Sequence, residues 1–350
     1  MNIKLFDYKL PPDLIAQKQA KPRDSSRLLV LDRASGRVRH ECFYDLVDHL
    51  DKNDVLVINQ TKVFPARLLG KKGTGGKVEC LLISRVNGSA WQAMVGGRHL
   101  KVGDKLYFNR GLVASIVKDI DTKVRLLKFN KNGSNLDKII SQIGHTPLPP
   151  YIKVKDSNKI KKDYQTIFAK KFGSAAAPTA GLHFTPRLLE KLKAKGIKIY
   201  KITLHVGLGT FAPVEVEDIK AHKIHKEWAE IDKATAQSLN RAKAQGKNIV
   251  AVGTTTARTL EAMSDKVGHI KAQVKWVDIY IYPGYKFRFV DDLITNFHLP
   301  KSSLLFMVSA LAGRKRILQA YKKAIKLKYR FFSFGDAMFV RHSSTRMKSE

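Results

Sequence analysis

Asp232–Arg258, DKATAQSLNRAKAQGKNIVAVGTTTAR, decides the fold. Asp232 is a side-chain acceptor placed to cap a helix that the pattern carries to Gln245, and Gly246 can take the left-handed exit that ends it. Asn248–Val252 is short, apolar and β-branched, so it reads as a strand, and Gly253-Thr254-Thr255-Thr256 turns directly into another helix. Helix, strand and helix at this spacing are the grammar of an α/β domain around a largely buried sheet. The same punctuation stands upstream, with Thr185 as N-cap, Pro186 at the first helical position, Gly196 as the stop and Ile197–Val206 as the next strand. Arg27–Leu31 and Val55–Ile58 add strand-like runs to the first sixty residues.

Between these halves the period shortens. Val78–Ile83, Ala90–Val95, Lys105–Phe108, Val113–Ile120 and Val124–Phe129 are separated by Asn87-Gly88, Gly96-Gly97, Val102-Gly103-Asp104 and Asn109-Arg110-Gly111, which supply hairpin turns. Short strands so spaced predict a small antiparallel barrel. Gly144–Lys171, rich in Pro and Lys, reads as a basic connecting segment. The expected fold is a mixed-sheet α/β domain over residues 1–61 and 150–350, with a β-barrel domain inserted at 62–149.

The 350 residues carry 64 Lys and Arg against 30 Asp and Glu, a formal charge of +34, and 44% are hydrophobic. A core is affordable and a wholly disordered basic tail is excluded, while the charge favours a polyanionic partner. A generally lysine-rich proteome would give the same balance. Cys42 and Cys80 are far apart and form no CxxC pair, so neither a disulfide framework nor a cysteine zinc site is indicated. Leu304–Ala312 is too short to span a bilayer and no signal pattern opens the chain, so the expectation is a cytoplasmic protein with no membrane partner.

Several segments could carry chemistry. AAAPTAGLHFT, Ala175–Thr185, places Thr179, Gly181 and His183 among small residues that let a ligand near the backbone, although tight packing and an ordinary structural histidine explain it as well. In TLHVGLGTFAPV, Thr203–Val214, His205 ends a strand before Gly207 and Gly209; a dinucleotide fingerprint would need a third glycine. His222, His225 and Glu227 have a spacing that a helical turn could aim at a metal, but no cysteine accompanies them and no metal is expected. Thr254, Thr255, Thr256 and Arg258 could hold an anion at a helix start or simply cap it, and the P-loop pattern is absent. Asn296 and His298, in DLITNFHLPKSS, either cap a buried loop or contact a heterocycle.

In order along the chain, DYKLPPDLIAQ, LVINQTKVFPARL, GSAAAPTAGLHFT, ITLHVGLGTFAPV, HKIHKEW, VGTTTARTLEAM, IYPGYKFRFVDDLITNFHLPKSSLLFMVSALAG and YRFFSFGDAMFV resemble the S-adenosylmethionine:tRNA ribosyltransferase-isomerase family of the queuosine pathway. The likeness spans nearly the whole chain. It departs from the family's usual NDTR at Asn59-Gln60-Thr61-Lys62, and from HMHSE at His222–Glu227, where both imidazoles and the carboxylate remain. The resemblance implies an α/β domain carrying a barrel. It also implies transfer of the ribosyl part of S-adenosylmethionine onto 7-aminomethyl-7-deazaguanine in a tRNA anticodon, giving epoxyqueuosine, adenine and methionine. S-adenosylmethionine would be a consumed substrate and no cofactor is expected; a monomer is.

That chemistry needs a base near the ribose carbon beside the sulfonium, a donor to departing adenine and a water-poor pocket. His183, His205, Glu227 and His298 are the candidates for these tasks, with Thr179, Gly181, Gly207, Gly209, Thr254, Thr255, Thr256, Arg258 and Asn296 as binding residues. Tyr282, Tyr285, Phe287 and Phe297 are candidates for stacking a splayed base. A non-catalytic RNA-binding barrel protein and an S-adenosylmethionine-dependent methyltransferase are the alternatives.

Overall fold

The computed structural model describes residues 1–121, 124–207 and 214–342. β1 (Arg27–Asp32), β2 (Val38–Cys42) and β3 (Asp54–Asn59) open the chain, and β4 (Thr61–Val63) leads into the barrel. The barrel strands are β5 (Arg67–Lys72), β6 (Lys77–Arg85), β7 (Ala90–Gly96), β8 (Lys105–Tyr107), β9 (Val113–Asp119) and β10 (Val124–Phe129), closed in the order β10-β7-β6-β5-β8-β9. Helix α1 (Gly133–Ile143) packs Leu136 and Ile140 into the barrel core, α2 (Asn158–Asp163) follows, and β11 (Lys171–Ser174) returns to pair with β4.

The second half runs α3 (Pro186–Ala194), β12 (Lys198–Leu204), β13 (Glu227–Ile231), α4 (Lys233–Ala244), β14 (Asn248–Val252), α5 (Thr254–Met263), β15 (Gln273–Val277), β16 (Asp292–Asn296), α6 (Ser303–Ala312), α7 (Arg314–Lys326) and β17 (Ala337–Arg341). Among the described residues a nine-stranded sheet forms in the order β15-β13-β12-β3-β14-β16-β17-β1-β2. Its centre, β12-β3-β14-β16, is parallel, and antiparallel pairs occupy both flanks. β1 joins the sheet through a parallel pairing with β17, near the other end of the chain.

Every residue of β3 is buried, as a strand covered on both faces requires. Leu56 and Ile58 pack with α3 side chains Leu188 and Leu192, while Val55 and Val57 join the core that contains α4, α5, α6 and α7 residues. The period-two alternation of side chains thus separates two cores across one sheet. The helix punctuation is as read at two starts, where Thr185 Oγ1 accepts from the Leu188 N–H at 3.2 Å and Asp232 Oδ1 accepts from the Thr235 N–H at 2.8 Å; Ser302 caps α6 in the same manner.

Two differences have physical causes. Strand β5 hides in the sequence because Gly70 interrupts it, yet a Cβ there would lie 2.5 Å from the Tyr107 carbonyl oxygen, so the close approach of β8 demands glycine. Residues 144–171 are packed rather than a mere connector: Ile152, Ile160 and Tyr164 form a small core with Leu182 and Phe334. Its many exposed lysines mask that apolar spacing.

Candidate active site

The sequence-chosen residues fall on two sides of one wall. The wall is built where β11 and its continuation meet the end of β12: Ala175 N–H donates to the Val206 carbonyl at 3.1 Å, and Val206 N–H donates to Ser174 Oγ at 2.8 Å. Val206 and Ala177 face a cavity of about 330 Å³, while Gly173, His205 and Gly207 face a cleft of about 310 Å³. Both volumes are in the range of small-ligand sites.

The larger cavity lies beyond the carboxyl ends of β12, β14 and β16, the usual ligand position in an open parallel sheet. Thr179, Thr254, Thr255, Asn296 and His298 all line it. The α5 N-terminus opens here, where the first-turn N–H groups have no partner within the helix. Thr255 Oγ1 and Asn296 Oδ1 are buried without a hydrogen-bond partner among the described residues. A polar ligand would satisfy both.

The Asn296 amide has its orientation fixed. Its Nδ2 lies 3.1 Å from both the Phe332 carbonyl and His183 Nε2. A carbonyl can only accept, so that end is the NH₂ group and His183 Nε2 must accept as well. The His183 proton therefore sits on Nδ1 and is donated to Ser26 Oγ at 2.7 Å. His183 lies behind the cavity, stacked on Phe43, and acts by holding Asn296. His298 is at the surface of the cavity, its Nε2 2.9 Å from Thr295 Oγ1. Gly181 and Thr256 are buried behind the lining; Thr256 Oγ1 donates to the Val252 carbonyl at 2.7 Å.

His205, Gly207 and Glu227 line the cleft instead, which opens between the sheet and the barrel. Thr61 Oγ1 is 2.7 Å from His205 Nδ1, and the ring stacks on Trp228 with centroids 4.7 Å apart. A Cβ on Gly173 would come within 2.7 Å of His205 Nε2, so glycine lets the imidazole sit there. Glu227 Oε1 accepts the Gly207 N–H at 2.9 Å and Oε2 accepts Arg258 Nη1 at 2.5 Å; both ionic side chains are buried. Arg258 is thus engaged with Glu227 and does not line the larger cavity. Gly209 lies outside the described residues. His222 follows a short 3-10 turn and Glu227 begins β13, so no helical turn unites them, and among the described residues no group of three or more His, Cys, Asp or Glu is arranged for a metal.

The aromatic candidates fare differently. Phe297 lines the larger cavity while packing on Tyr321, Tyr329 and Phe331, and the Tyr285 hydroxyl donates to Glu261 Oε2 at 2.9 Å, with Phe287 against its ring. Tyr282 packs on Tyr280. At the cleft Trp276 is exposed and Trp228 half-buried, register partners on β15 and β13.

Burial pushes the imidazoles down, His183 and His205 to about 4 and His298 to about 3. All three are neutral at neutral pH, and each takes a proton more readily when unfolded, near 6.5. Their stabilising contribution is full above pH 6.5 and is lost as pH falls toward 4. Asp292, raised to about 6 by burial, opposes this because the folded state holds its proton. Asp54 is raised by burial as well, whereas His40 and His222 are lowered by it, so the histidines outweigh the two carboxyls and the urea midpoint is expected to fall between pH 7 and pH 5; a constant or rising midpoint would contradict the assignment.

Residues 3–340 match the family model described as queuosine biosynthesis protein. Proteins named S-adenosylmethionine:tRNA ribosyltransferase-isomerase are similar over 97% of this chain and 100% of their own: 49% identical over 346 residues in Acetivibrio thermocellus, 50% over 343 in Desulfitobacterium hafniense and 51% over 343 in Moorella thermoacetica. The crystal structure of S-adenosylmethionine tRNA ribosyltransferase from Thermotoga maritima is similar with a TM-score of 0.56 and 37% identity, covering 96% of this chain and 99% of that one.

Proposed function

The chain belongs to the queuosine biosynthesis family, and from that premise we propose that it transfers the ribosyl part of S-adenosylmethionine onto 7-aminomethyl-7-deazaguanine in a tRNA anticodon. The sugar is isomerised to the epoxyqueuosine, and adenine and methionine leave. The observation that carries the reading is the convergence of Thr179, Thr254, Thr255, Asn296 and His298 on one cavity at the strand ends.

S-adenosylmethionine brings a sulfonium, an amino-acid carboxylate and an adenine, and the cavity has a counterpart for each. Neutral His298 adds no positive charge against the sulfonium. The free N–H groups opening α5, with Thr254 and Thr255, suit the carboxylate better than Arg258, which Glu227 already holds. Asn296 Oδ1, a buried acceptor without a donor among the described residues, suits the adenine amino group.

The positive sulfur acidifies the adjoining ribose carbon. We assign the proton of the neutral ring to Nε2, which lies 2.9 Å from Thr295 Oγ1, and this leaves the His298 Nδ1 lone pair to take the ribose proton while burial limits competing water. His183 is a positioning residue that orients Asn296.

The test is to incubate the protein with S-adenosylmethionine and tRNA carrying the aminomethyl base. Adenine with methionine is expected. S-adenosylhomocysteine would mean methyl transfer, and neither product would mean binding alone.

A further inference from the structure

The cleft between barrel and sheet gathers all three tryptophans of the chain: Trp91 from β7, Trp228 from β13 and Trp276 from β15. Trp228 and Trp276 are register partners on adjacent strands, and Phe172 of β11 lines the same space. Trp276 is 48% exposed and Phe172 42%, an uncovered aromatic surface beside an edge strand where apolar exposure invites association. Trp91 is only 3% exposed, yet its indole Nε1 has no acceptor among the described residues.

We propose that this cleft receives an unstacked nucleobase from a single-stranded loop of RNA, held against the tryptophan faces between the barrel and the sheet. This deepens the function proposed above and takes its RNA partner from it. A base fits because it offers a π-face to the rings and an acceptor to the Trp91 N–H. Arg85, over the Trp91 ring at 4.9 Å and paired with Asp137, and Lys226, paired with Asp278, border the cleft.

The nearby carboxylates are already matched: Asp137 pairs with Arg85, Glu227 with Arg258, Glu230 with Lys171 and Asp278 with Lys226. No excess of negative charge therefore opposes a phosphate there. A second copy of the chain is a poorer occupant, since each brings a formal charge of +34. His205, stacked on Trp228, joins the platform to the wall whose other side is the larger cavity, which places a bound base beside the proposed donor site.

Because every tryptophan lies in the cleft, the intrinsic fluorescence of the full chain reports its occupancy. An anticodon stem-loop RNA is expected to change that fluorescence saturably, and a fully paired RNA duplex of equal length is expected to change it far less. Trp276→Ala should weaken stem-loop binding, measured by anisotropy at fixed salt, by about ten-fold or more. Trp276→Phe should recover most of that loss, and S-adenosylmethionine affinity measured by calorimetry should stay at the wild-type value in both variants.

Wild-type affinity in Trp276→Ala, or stem-loop binding with no change in fluorescence, would overturn the proposal. So would concentration-dependent dimerisation by sedimentation that Trp276→Ala abolishes, which would assign the surface to a second copy. None of these outcomes depends on turnover. Failure of the wild-type protein to release adenine would instead overturn the functional reading and leave the binding measurement standing.

Discussion

Replacing His298 with Ala is expected to slow adenine release by a factor of about 10²–10⁴, the usual contribution of a positioned acid or base. His298 lines the larger cavity, and its Nε2 is engaged with Thr295 Oγ1 at 2.9 Å. The main-chain anchoring of the residue does not use the ring: Tyr8 donates to the His298 carbonyl, and the His298 N–H donates to the Tyr321 hydroxyl at 3.0 Å. The loop should therefore keep its course in the variant. Single-turnover adenine release gives the rate, and calorimetry with S-adenosylmethionine should show affinity within a few-fold of wild type. A near-normal rate would remove His298 from the chemistry. His298→Gln, which fills more of the space without restoring an imidazole, should be slow as well.

Glu227→Ala should cost about 3–5 kcal/mol of folding stability, because it strands a buried guanidinium. Arg258 is 2% exposed, and its acceptor among the described residues is Glu227. Its Nε and Nη2 already lack partners there, so little remains to offset the loss. The same carboxylate fixes the Gly207 N–H, and with it the strand end that separates cavity from cleft. Glu227→Gln retains an acceptor and should lose much less. Urea midpoints of the two variants and the wild type decide the matter; a wild-type midpoint in Glu227→Ala would show that the pair contributes nothing, and equal midpoints in the two variants would show that the retained acceptor contributes nothing. Arg258→Met combined with Glu227→Ala should recover a large part of the deficit, since no unpaired charge is then left inside.

Much of this architecture is written locally. Strand β14 spans the residues read from the sequence, and α3 and α4 begin at the capping residues Thr185 and Asp232. Caps and glycine exits act within a few residues, so sequence exposes them. Strand β5 escaped because the need for Gly70 comes from β8, more than thirty residues away.

The candidate residues were legible as types and not as an arrangement. Five of them meet at one cavity, whereas His205, Gly207 and Glu227 look the other way, a division set by alternate orientation at the end of β12. His183 resembled a reacting group, yet both its nitrogens are used to hold neighbours. The tryptophans carried no motif. Their meaning arises only when β7, β13 and β15 are folded against one another.

The parallel pairing of β1 with β17 has a consequence for how the molecule is made. The β1-β2 hairpin reaches the remainder of the sheet through β17 alone, so what the ribosome produces early must wait for what it produces late. Phe332 and Ser333, just ahead of that strand, also complete the larger cavity. Synthesis halted short of β17 would leave an orphaned hairpin and an open chamber, so premature termination yields waste for proteolysis rather than a feeble catalyst.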